Sequence, residues 1–361
     1  MAQRRRLGSV LCGLLLLLPA ACTATRPAPV WTAVDTLPAG FAAETLADGP
    51  DGLIIGGRAT DPARPMLLVE QDGGVREVPL SPESGYGHTA ALLSVAVAGD
   101  EVYAFGGDRG GAHANVRWSV WSGTTAGVRE HEQIFWVFGG QDAGSLTAMV
   151  ARPAGPMIIG NWGSPRGLDI TAWTARKNTW TRVDSRGSAL ASTARELLSE
   201  RAAARLGDRV IIAGSALQLD ESLLSRGATW VQDRAGADWR RVDLPTAGTA
   251  STALKLACAD ECLVAGVVDG KVAGWLGDGA NWRRIELPDL AVDAGTAVLR
   301  AFRVDAGWRI AVGDGAVTTV IGPDTDLIKG PAGRLIDAAG GAQARLLVED
   351  PDGVRRLHQL A

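Results

Sequence analysis

The chain has 361 residues, of which 46% are hydrophobic and 21% are charged, and this composition excludes a wholly disordered protein. The formal net charge is −4, with acidic and basic residues interspersed. That balance argues against a nucleic-acid-binding surface and against a patch that binds anionic membranes. The 46 glycines and 12 tryptophans indicate many turns and large apolar anchors spaced along the chain.

The first residues are typical of an export signal. Residues 4–6 are arginines, and residues 10–18 form an apolar run that is too short to span a bilayer. The segment that ends at Cys22 resembles a bacterial lipoprotein signal, in which Cys22 becomes the lipidated first residue of the mature chain. Pro19 departs from that family, which usually carries an aliphatic residue at this place. Plain secretion, with cleavage between residues 21 and 24, is the alternative.

These features divide the chain into three parts. We predict a signal peptide over residues 1–21, a lipidated cysteine with a short tether over residues 22–30, and one folded domain over residues 31–361. The expected location is the outer face of the cell membrane or the periplasm if Cys22 is lipidated, and otherwise the protein is secreted. The membrane is contacted only through the lipid.

Two cysteines remain in the predicted domain, Cys258 and Cys262. They flank a short turn, so that two facing strand residues come within disulfide reach, and we predict a disulfide in an oxidising compartment. A metal pair is the alternative, but no histidine is near them in the sequence. The sequence contains no phosphate-binding glycine loop, zinc signature or calcium loop, so we expect no metal and no cofactor.

Residues 252–288 define a structural unit. They form four short β-rich runs separated by Asp/Gly turns, which predicts a four-stranded antiparallel sheet. About 37 residues for four strands is the size of one β-propeller blade.

Two strands of this unit recur along the chain. The second is a short apolar run that usually ends in Gly, at 53–57, 102–107, 157–160, 210–214, 262–266, 310–313 and 345–348. The last alternates apolar and polar residues, at 31–38, 75–80, 180–184, 239–245 and 282–288, and its tryptophans are expected to pack between blades.

Seven units follow from this pattern, at about 41–82, 91–135, 144–185, 200–245, 252–288, 295–331 and 333–361. The last has only three strands, and residues 31–38 supply the fourth. The sequence therefore predicts an all-β, seven-bladed β-propeller closed by its N-terminal strand, which leaves no exposed sheet edge. A capping-box pattern at residues 193–196 predicts one helical turn in a connecting loop.

The chain resembles secreted seven-bladed propellers of the kelch and sialidase-like (Asp-box) kinds. The glycine pairs at 56–57, 106–107 and 139–140 look kelch-like, without the Tyr expected after them, and residues 236–239 and 279–282 are similar to the end of an Asp-box turn. The resemblance is architectural and implies the fold alone.

Candidate ligand-binding residues lie in predicted loops of one propeller face. Loops between second and third strands, and those between blades, are expected to be long and polar in blades one to four and short in blades five and six, which places an off-centre site over the first four. The candidates are Arg58, Tyr86, His88, Asp108, Arg109, His113, Asn161, Trp162 and Arg166. Each also has a structural interpretation: histidines bonded to nearby backbone, aspartates that form turns, and a tryptophan that caps a blade edge.

No motif in the sequence specifies catalysis, so the catalytic residues stay unassigned. We expect a monomeric, non-catalytic binding or scaffold module for a glycan or an envelope protein, without nucleic-acid binding. The alternative is a glycoside hydrolase of the sialidase kind, which needs an arginine cluster, a Tyr nucleophile with a Glu base, and an acid. Of the two tyrosines, only Tyr86 lies in a predicted loop. A metal site at residues 130–132 is disfavoured because His131 would point away from the flanking glutamates in a strand.

Overall fold

The computed structural model describes residues 30–34, 37–71, 74–110, 114–232, 238–323 and 325–360. The predicted signal peptide, Cys22 and His113 lie outside these ranges. Within the described part of the chain, no helix is long and apolar enough to cross a membrane.

The described residues form seven small sheets, which we number as blades in chain order. Blade 1 contains β2 (Phe41–Gly49), β3 (Gly52–Thr60), β4 (Ala63–Gln71) and β5 (Gly74–Glu77). Blade 2 contains β7 (Ala91–Ala98), β8 (Glu101–Gly110), β9 (Asn115–Thr124) and β10 (Gly127–Glu130), and β6 (Leu80–Ser81) joins its edge in parallel. Blade 3 contains β11 (Ala143–Val150), β12 (Met157–Ser164), β13 (Gly167–Arg176) and β14 (Thr179–Arg182).

The remaining blades repeat this order. Blade 4 contains β15 (Glu196–Leu206), β16 (Arg209–Gln218), β17 (Ser225–Gln232) and β18 (Trp239–Asp243). Blade 5 contains β19 (Ser251–Cys258), β20 (Cys262–Val268), β21 (Lys271–Gly277) and β22 (Trp282–Ile285). Blade 6 contains β23 (Val298–Val304), β24 (Gly307–Asp314), β25 (Val317–Gly322) and β26 (Thr325–Lys329). Blade 7 contains β27 (Arg334–Ala339), β28 (Arg345–Glu349), β29 (Arg355–Leu360) and β1 (Trp31–Val34).

The first strand of each blade packs against the first strand of the next, from β2 through β7, β11, β15, β19, β23 and β27 and back to β2. These seven strands therefore surround a central channel, and the fourth strands lie at the outside. The prediction of an all-β, seven-bladed propeller is confirmed. The predicted helical turn at residues 193–196 is wrong: Thr193 Oγ1 accepts hydrogen bonds from the backbone N–H groups of Arg195 and Glu196, and this local turn leads straight into β15.

The N-terminal strand closes the ring as predicted. β1 pairs antiparallel with β29, with Trp31 opposite Leu360 and Val34 opposite Leu357. The Trp31 Nε1–H also donates a hydrogen bond of 3.0 Å to the carbonyl oxygen of Lys329, in the outermost strand of blade 6. β1 is thus bonded to blade 7 and to blade 6, and β29 has no free edge.

Removal of β1 tests this closure. A chain that starts at Leu37 is expected to lose about 2–5 kcal/mol of unfolding free energy relative to one that starts at Val30, because partly buried side chains and a hydrogen-bonded strand are removed. The free edge of β29 should also promote self-association. Urea denaturation and size-exclusion chromatography measure both effects, and equal stability of the two chains would contradict the closure.

The second strands form the buried middle of each blade. All seven residues of β20 are buried, and the centres of β3, β16 and β28 are buried as well. Each second strand has a partner strand on both edges and neighbouring blades on both faces, which explains why these strands are continuous apolar runs.

The glycines that end these runs have a common packing role in blades 1 to 5. In each of these blades the first strand contains a β-bulge, which turns one of its carbonyl groups toward the glycine. A Cβ atom added to Gly214 would lie 1.9 Å from the carbonyl oxygen of Ser199, and one added to Gly57 would lie 2.2 Å from that of Ala42. The glycine pattern is therefore the sequence signature of the bulges beside the channel.

The exchange Gly214→Ala is expected to lower the free energy of unfolding by about 2–4 kcal/mol, because the backbone of β15 must move away from the new methyl group. Gly85→Ala is the control, because an added Cβ there meets no atom within 4 Å. Its effect should stay within about 0.5 kcal/mol. Thermal and urea unfolding of both variants compare the two sites, and equal losses would contradict the packing role.

Eight of the twelve tryptophans occupy two recurring kinds of position. Those of the fourth strands pack between blades as predicted: for example, Trp282 Nε1–H donates to Thr229 Oγ1 of blade 4 at 3.0 Å. A second set, which sequence reasoning did not single out, is fully buried on the third strands of blades 2 to 5: Trp121, Trp173, Trp230 and Trp275. In blades 3 to 5 the indole N–H of this tryptophan donates to a carbonyl group of the connection that precedes its blade. These residues bind the connections to the blades.

Cys258 and Cys262 form the predicted disulfide, with Cα atoms 4.0 Å apart. They face each other at the end of the β19–β20 hairpin.

Candidate functional site

The hairpins between second and third strands and the connections between blades share one face of the propeller, which we name the loop face. Hydrogen bonds link the two kinds of segment: the N–H of Thr60 donates to the carbonyl of Gly40, and that of Gly163 donates to the carbonyl of Asp142. The candidate residues inside the described ranges lie on this face, as expected.

The loops themselves differ from the expectation. Only Asp61 and Pro62 separate β3 from β4, and only residues 165–166 separate β12 from β13, because the strands continue into what the polar composition suggested was loop. The connection after blade 5, residues 286–297, is long rather than short. The expected contrast between the first four blades and the next two is therefore wrong. Arg58, Asp108, Arg109, Asn161 and Trp162 lie on the protruding ends of strands, where the backbone is held by cross-strand hydrogen bonds.

One group of candidates meets at the boundary of blades 1 and 2. Arg58 Nη1 lies 3.7 Å from Asp108 Oδ1, and Asp108 accepts hydrogen bonds from Thr89 Oγ1 at 2.7 Å and from the N–H of Arg109 at 2.8 Å. Tyr86 packs against Gly110, where an added Cβ would lie 2.3 Å from the ring. These contacts join the ends of β3 and β8 to the connection between their blades.

Tyr86 and His88 lie in the connection between blades 1 and 2, which hydrogen bonds to Glu130 hold in place. This buried carboxylate accepts hydrogen bonds from the N–H groups of Glu83 and Ser84, at 2.6 and 2.9 Å, and from Ser84 Oγ at 2.6 Å. A Cβ on Gly87 would lie 1.9 Å from its oxygen. His88 is exposed on the 3-10 turn that follows, Gly87–Thr89. Glu130 thus has a structural role, and it positions Tyr86.

The other candidates belong to blade 3. The Asn161 amide donates to Glu200 Oε1 of blade 4 at 2.8 Å and accepts from the N–H of Ser145 at 3.0 Å. The ring of Trp162 packs edge-on against Trp173, with centroids 6.1 Å apart, and the Arg182 guanidinium lies 4.5 Å from its centroid. Asn161 and Trp162 therefore pack between structural neighbours, whereas Arg166 is exposed in the β12–β13 turn.

Glu200 is buried beside the channel and has a perturbed titration. Burial raises its pKa, which the hydrogen bonds from Thr147 and Asn161 only partly offset. Because its folded-state pKa lies above the unfolded value, its protonated form is favoured by folding, and this contribution is lost as the pH rises through the folded-state pKa.

A matched pair of variants tests the effect of the Glu200 charge on stability. Glu200→Gln keeps an oxygen acceptor for Thr147 and Asn161 without the charge, so it should equal or exceed the wild type in stability at neutral pH, with the difference shrinking as the pH falls. Glu200→Ala leaves both donors without their acceptor and should cost about 1–3 kcal/mol. Urea unfolding across a pH series measures both variants. A Gln variant as unstable as the Ala variant would show that the charge itself is required.

A pocket of about 490 Å³ lies between β9 and the connection of blades 2 and 3. Its wall includes Tyr86 and Glu130 from the group described above. Beside it lie four exposed apolar side chains, which we name the aromatic patch: Tyr86 (40% exposed), Ile134 (74%), Phe135 (48%) and Trp136 (71%).

The sequence around the patch explains its shape. Phe135 and Trp136 are in a 3-10 turn, and their rings fold back over Gly139 and Gly140, where an added Cβ would lie 2.4 and 3.2 Å from the respective rings. The Arg117 guanidinium lies 4.7 Å from the centroid of Phe135. The glycine pair at 139–140 thus makes room for the two aromatic rings, and it does not belong to a kelch-like strand as its resemblance to the pairs in β3 and β8 suggested.

A second depression, of about 690 Å³, adjoins the pocket along residues 131–134 and reaches Thr179 and Trp180 of blade 3. Gln133 fixes this edge: its Nε2 donates to the carbonyl of Asn178 at 2.7 Å, and its Oε1 accepts from the N–H of Trp180 at 3.0 Å. The aromatic patch is therefore held against blade 3 through the residue that precedes it.

His131 lines both depressions. One ring nitrogen, Nε2, is 2.7 Å from Ser122 Oγ, and burial lowers the pKa of the ring below its usual value, so the imidazole is neutral at neutral pH. Ser122 lines neither depression. In the described part of the chain no carboxylate bonds the other ring nitrogen, so the pair lacks the third member of a nucleophilic triad.

No group of three His, Cys, Asp or Glu residues suited to a metal occurs among the described residues. In particular, Glu130 and His131 are hydrogen-bonded to different partners, Ser84 and Ser122.

Apart from Tyr86, the aromatic patch is the part of this face that sequence reasoning missed. Its signal was the run Ile134–Phe138, with three aromatic residues between a polar strand and a glycine pair. From the sequence, the second blade is predicted to end at residue 135 and the glycine pair at 139–140 is interpreted as kelch-like, so residues 134–138 are not recognised as part of a connection between blades.

Comparisons with known proteins establish the architecture and no family. No protein-family model matches the chain, and no curated protein matches it. Among solved structures, the β-propeller domain of the Trilobed protease from Pyrococcus furiosus is similar, with a TM-score of 0.53 and 9% identity over 90% of this chain and 94% of that domain. That domain has an open velcro topology, whereas here β1 completes the last blade.

Two further structures are similar. A Mycobacterium tuberculosis puromycin-hydrolysing peptidase has a TM-score of 0.52 and 12% identity over 92% of this chain and 54% of the peptidase. The Hadza microbial sialidase Hz136 has a TM-score of 0.49 and 11% identity over 83% of this chain and 73% of the sialidase. At these identities the likeness concerns the fold alone.

Proposed function

We propose that the protein is an exported, lipid-anchored envelope module that binds a protein or glycan partner through the aromatic patch and the pocket beside it, without catalysing a reaction. The observation that carries this proposal is the exposure of three consecutive apolar residues, Ile134, Phe135 and Trp136, on the connection between blades 2 and 3. A turn held by Gln133 and by a glycine pair presents them.

Such a patch is costly to leave in water. Tryptophan and the other aromatic residues have large contact areas and few rotatable bonds, so they are enriched among the residues that dominate binding. The wall of the pocket adds polar groups around this apolar centre, among them Arg117, His131 and Glu132. An apolar centre with a polar rim is the usual anatomy of a binding surface.

The cellular location rests on different features. The arginine-rich start with its short apolar run and Cys22 supports export and lipidation. The Cys258–Cys262 disulfide is consistent with an oxidising compartment. A tether from Cys22 to Trp31 would attach the domain to the membrane through blade 7, since β1 is the outer strand of that blade.

One observation favours a glycosidase as the second candidate: Tyr86 and Glu130 line the same pocket, and a sialidase-like reaction needs a tyrosine with a glutamate base. Three hydrogen bonds from the connection already engage Glu130, which leaves it poorly placed to take a proton from Tyr86. Tyr86 and Glu130 thus line the same pocket, but no hydrogen bond between them is present among the described residues. A screen with aryl glycosides distinguishes this candidate, and hydrolysis that is lost in Tyr86→Phe would favour the enzyme.

The binding function is tested with a glycan array and with co-purification from detergent-solubilised envelope membranes. Trp136→Ala should weaken capture of any glycan or protein found by about 2 kcal/mol or more, roughly 30-fold in affinity, because Trp136 is the largest exposed member of the patch. Titration of the identified partner by calorimetry measures the change.

Leu223→Ser is the matched control. Leu223 is 63% exposed and lies in the β16–β17 loop, on the same face but in blade 4. It should leave binding unchanged. If both variants weaken capture equally, the interaction is non-specific, and if Trp136→Ala captures as well as the wild type, the aromatic patch is not the binding surface.

A further inference from the structure

A lysine without a partner lies beside the central channel. Lys255 is on β19, the first strand of blade 5, immediately after the bulge. It is partly buried, and in the described part of the chain it makes no hydrogen bond or salt bridge. In the other five blades whose first strand contains a bulge, the residue after the bulge is uncharged or acidic: Thr45, Ser94, Ala148, Ala202 and Asp337. A cation after the bulge is therefore not a requirement of the bulged first strand.

The nearest charged groups do not neutralise the lysine. Arg300 on β23 and Asp337 on β27 both act on Lys255 electrostatically. Both carboxylate oxygens of Asp337 are already engaged, by Arg300 Nε at 2.7 Å and by the N–H of Leu46 at 2.8 Å. Asp337 is thus paired with Arg300, and no carboxylate in the described part of the chain forms a salt bridge with Lys255.

The neighbouring strand does not supply the missing negative charge. On β15, Glu200 is bonded to Thr147 and Asn161 of blade 3, and Arg201 is exposed. Burial and the nearby Arg300 lower the pKa of Lys255 to about 8, against a smaller opposing effect of Asp337. The lysine is therefore charged at neutral pH, although its surroundings disfavour that charge.

We propose that Lys255 binds a small phosphate or carboxylate anion in the central channel, beside the ion pair of Arg300 and Asp337. An anion with two or more oxygen atoms could accept charge-assisted hydrogen bonds from the Lys255 ammonium. The guanidinium nitrogens of Arg300 already donate to Asp337, Leu299 and Ile336, so Arg300 contributes its charge and no free donor. This site is separate from the aromatic patch, which lies over blades 2 and 3.

The far mouth of the channel limits where the anion can be held. A depression of about 710 Å³ there is lined by Ala257 and Ala301, beyond the layer of Lys255. Its wall contains three acidic residues, Asp48, Asp260 and Asp305, against one basic residue, Arg303, which is paired with Asp260 at 3.0 Å, so the wall is acidic on balance. The favourable position is therefore the layer of Lys255 itself.

The chain suits a direct measurement because it has only four lysines, at positions 177, 255, 271 and 329. Reductive methylation with ¹³C-formaldehyde gives one NMR signal for each methylated lysine, and Lys255→Arg assigns the signal of interest. In dilute chloride buffer this signal should titrate near pH 8. At constant ionic strength, addition of inorganic phosphate or of citrate should raise the pKa of Lys255 by about 1, a tenfold change in proton affinity.

Lys271 is the internal control, because it is exposed and already paired with Asp289 at 2.7 Å, so its pKa should not change. The same anions should raise the melting temperature of the wild type and of Lys271→Met, but not that of Lys255→Met. If neither phosphate nor citrate moves the Lys255 titration, or if both stabilise the Lys255→Met and wild-type proteins equally, the site does not exist.

Discussion

The structure depends on closure of the ring by β1. Each blade of a propeller buries its faces only because it has a neighbour on either side, and blade 7 has its fourth strand only because the start of the domain returns to pair with β29. The pairing of Trp31 with Leu360 and its bond to Lys329 fix that strand at two places. Once closed, the ring holds seven hairpins on one face in a fixed arrangement, and the aromatic patch and the channel site both depend on it.

Much of the architecture could be predicted because it depends on patterns within short stretches of sequence. The second strands are covered on all sides and are therefore apolar runs, and the bulges beside the channel require the glycines that end most of them. What failed was the distinction between loop and strand on the loop face. The residues around Asp61 and Pro165 are polar and turn-like, yet the hairpins there continue as strands almost to their tips. A polar composition indicates that a segment is exposed to water. The exposed end of a β-hairpin is as polar as a loop, so polarity alone does not distinguish the two.

The candidate site could be predicted only in part, for a related reason. Tyr86 lines the pocket, but Asn161 and Trp162 turned out to be engaged by Glu200 and Trp173. Polar or aromatic identity does not tell which neighbour a side chain meets across a blade boundary, because such contacts join residues far apart in sequence. The connection of blades 2 and 3 was overlooked because its aromatic residues resemble strand residues, and only their exposure in the folded chain distinguishes them.

The use of acidic residues argues for binding rather than hydrolysis. On the loop face, buried carboxylates secure the connections between blades: Glu130 binds the one after blade 1, and Asp169 accepts from the N–H of Ser192 and from Ser185 Oγ in the one after blade 3. The more exposed Asp269 does the same for residues 249–250. The sialidase-like alternative needs a glutamate base that is free to take a proton from its tyrosine, together with an acid. The oxygens of Glu130 and Asp169 already accept hydrogen bonds from the connections that they hold, which leaves them less available to a substrate. The same acids that hold the connections of the loop face, where the aromatic side chains are presented, are thus engaged in structural hydrogen bonds.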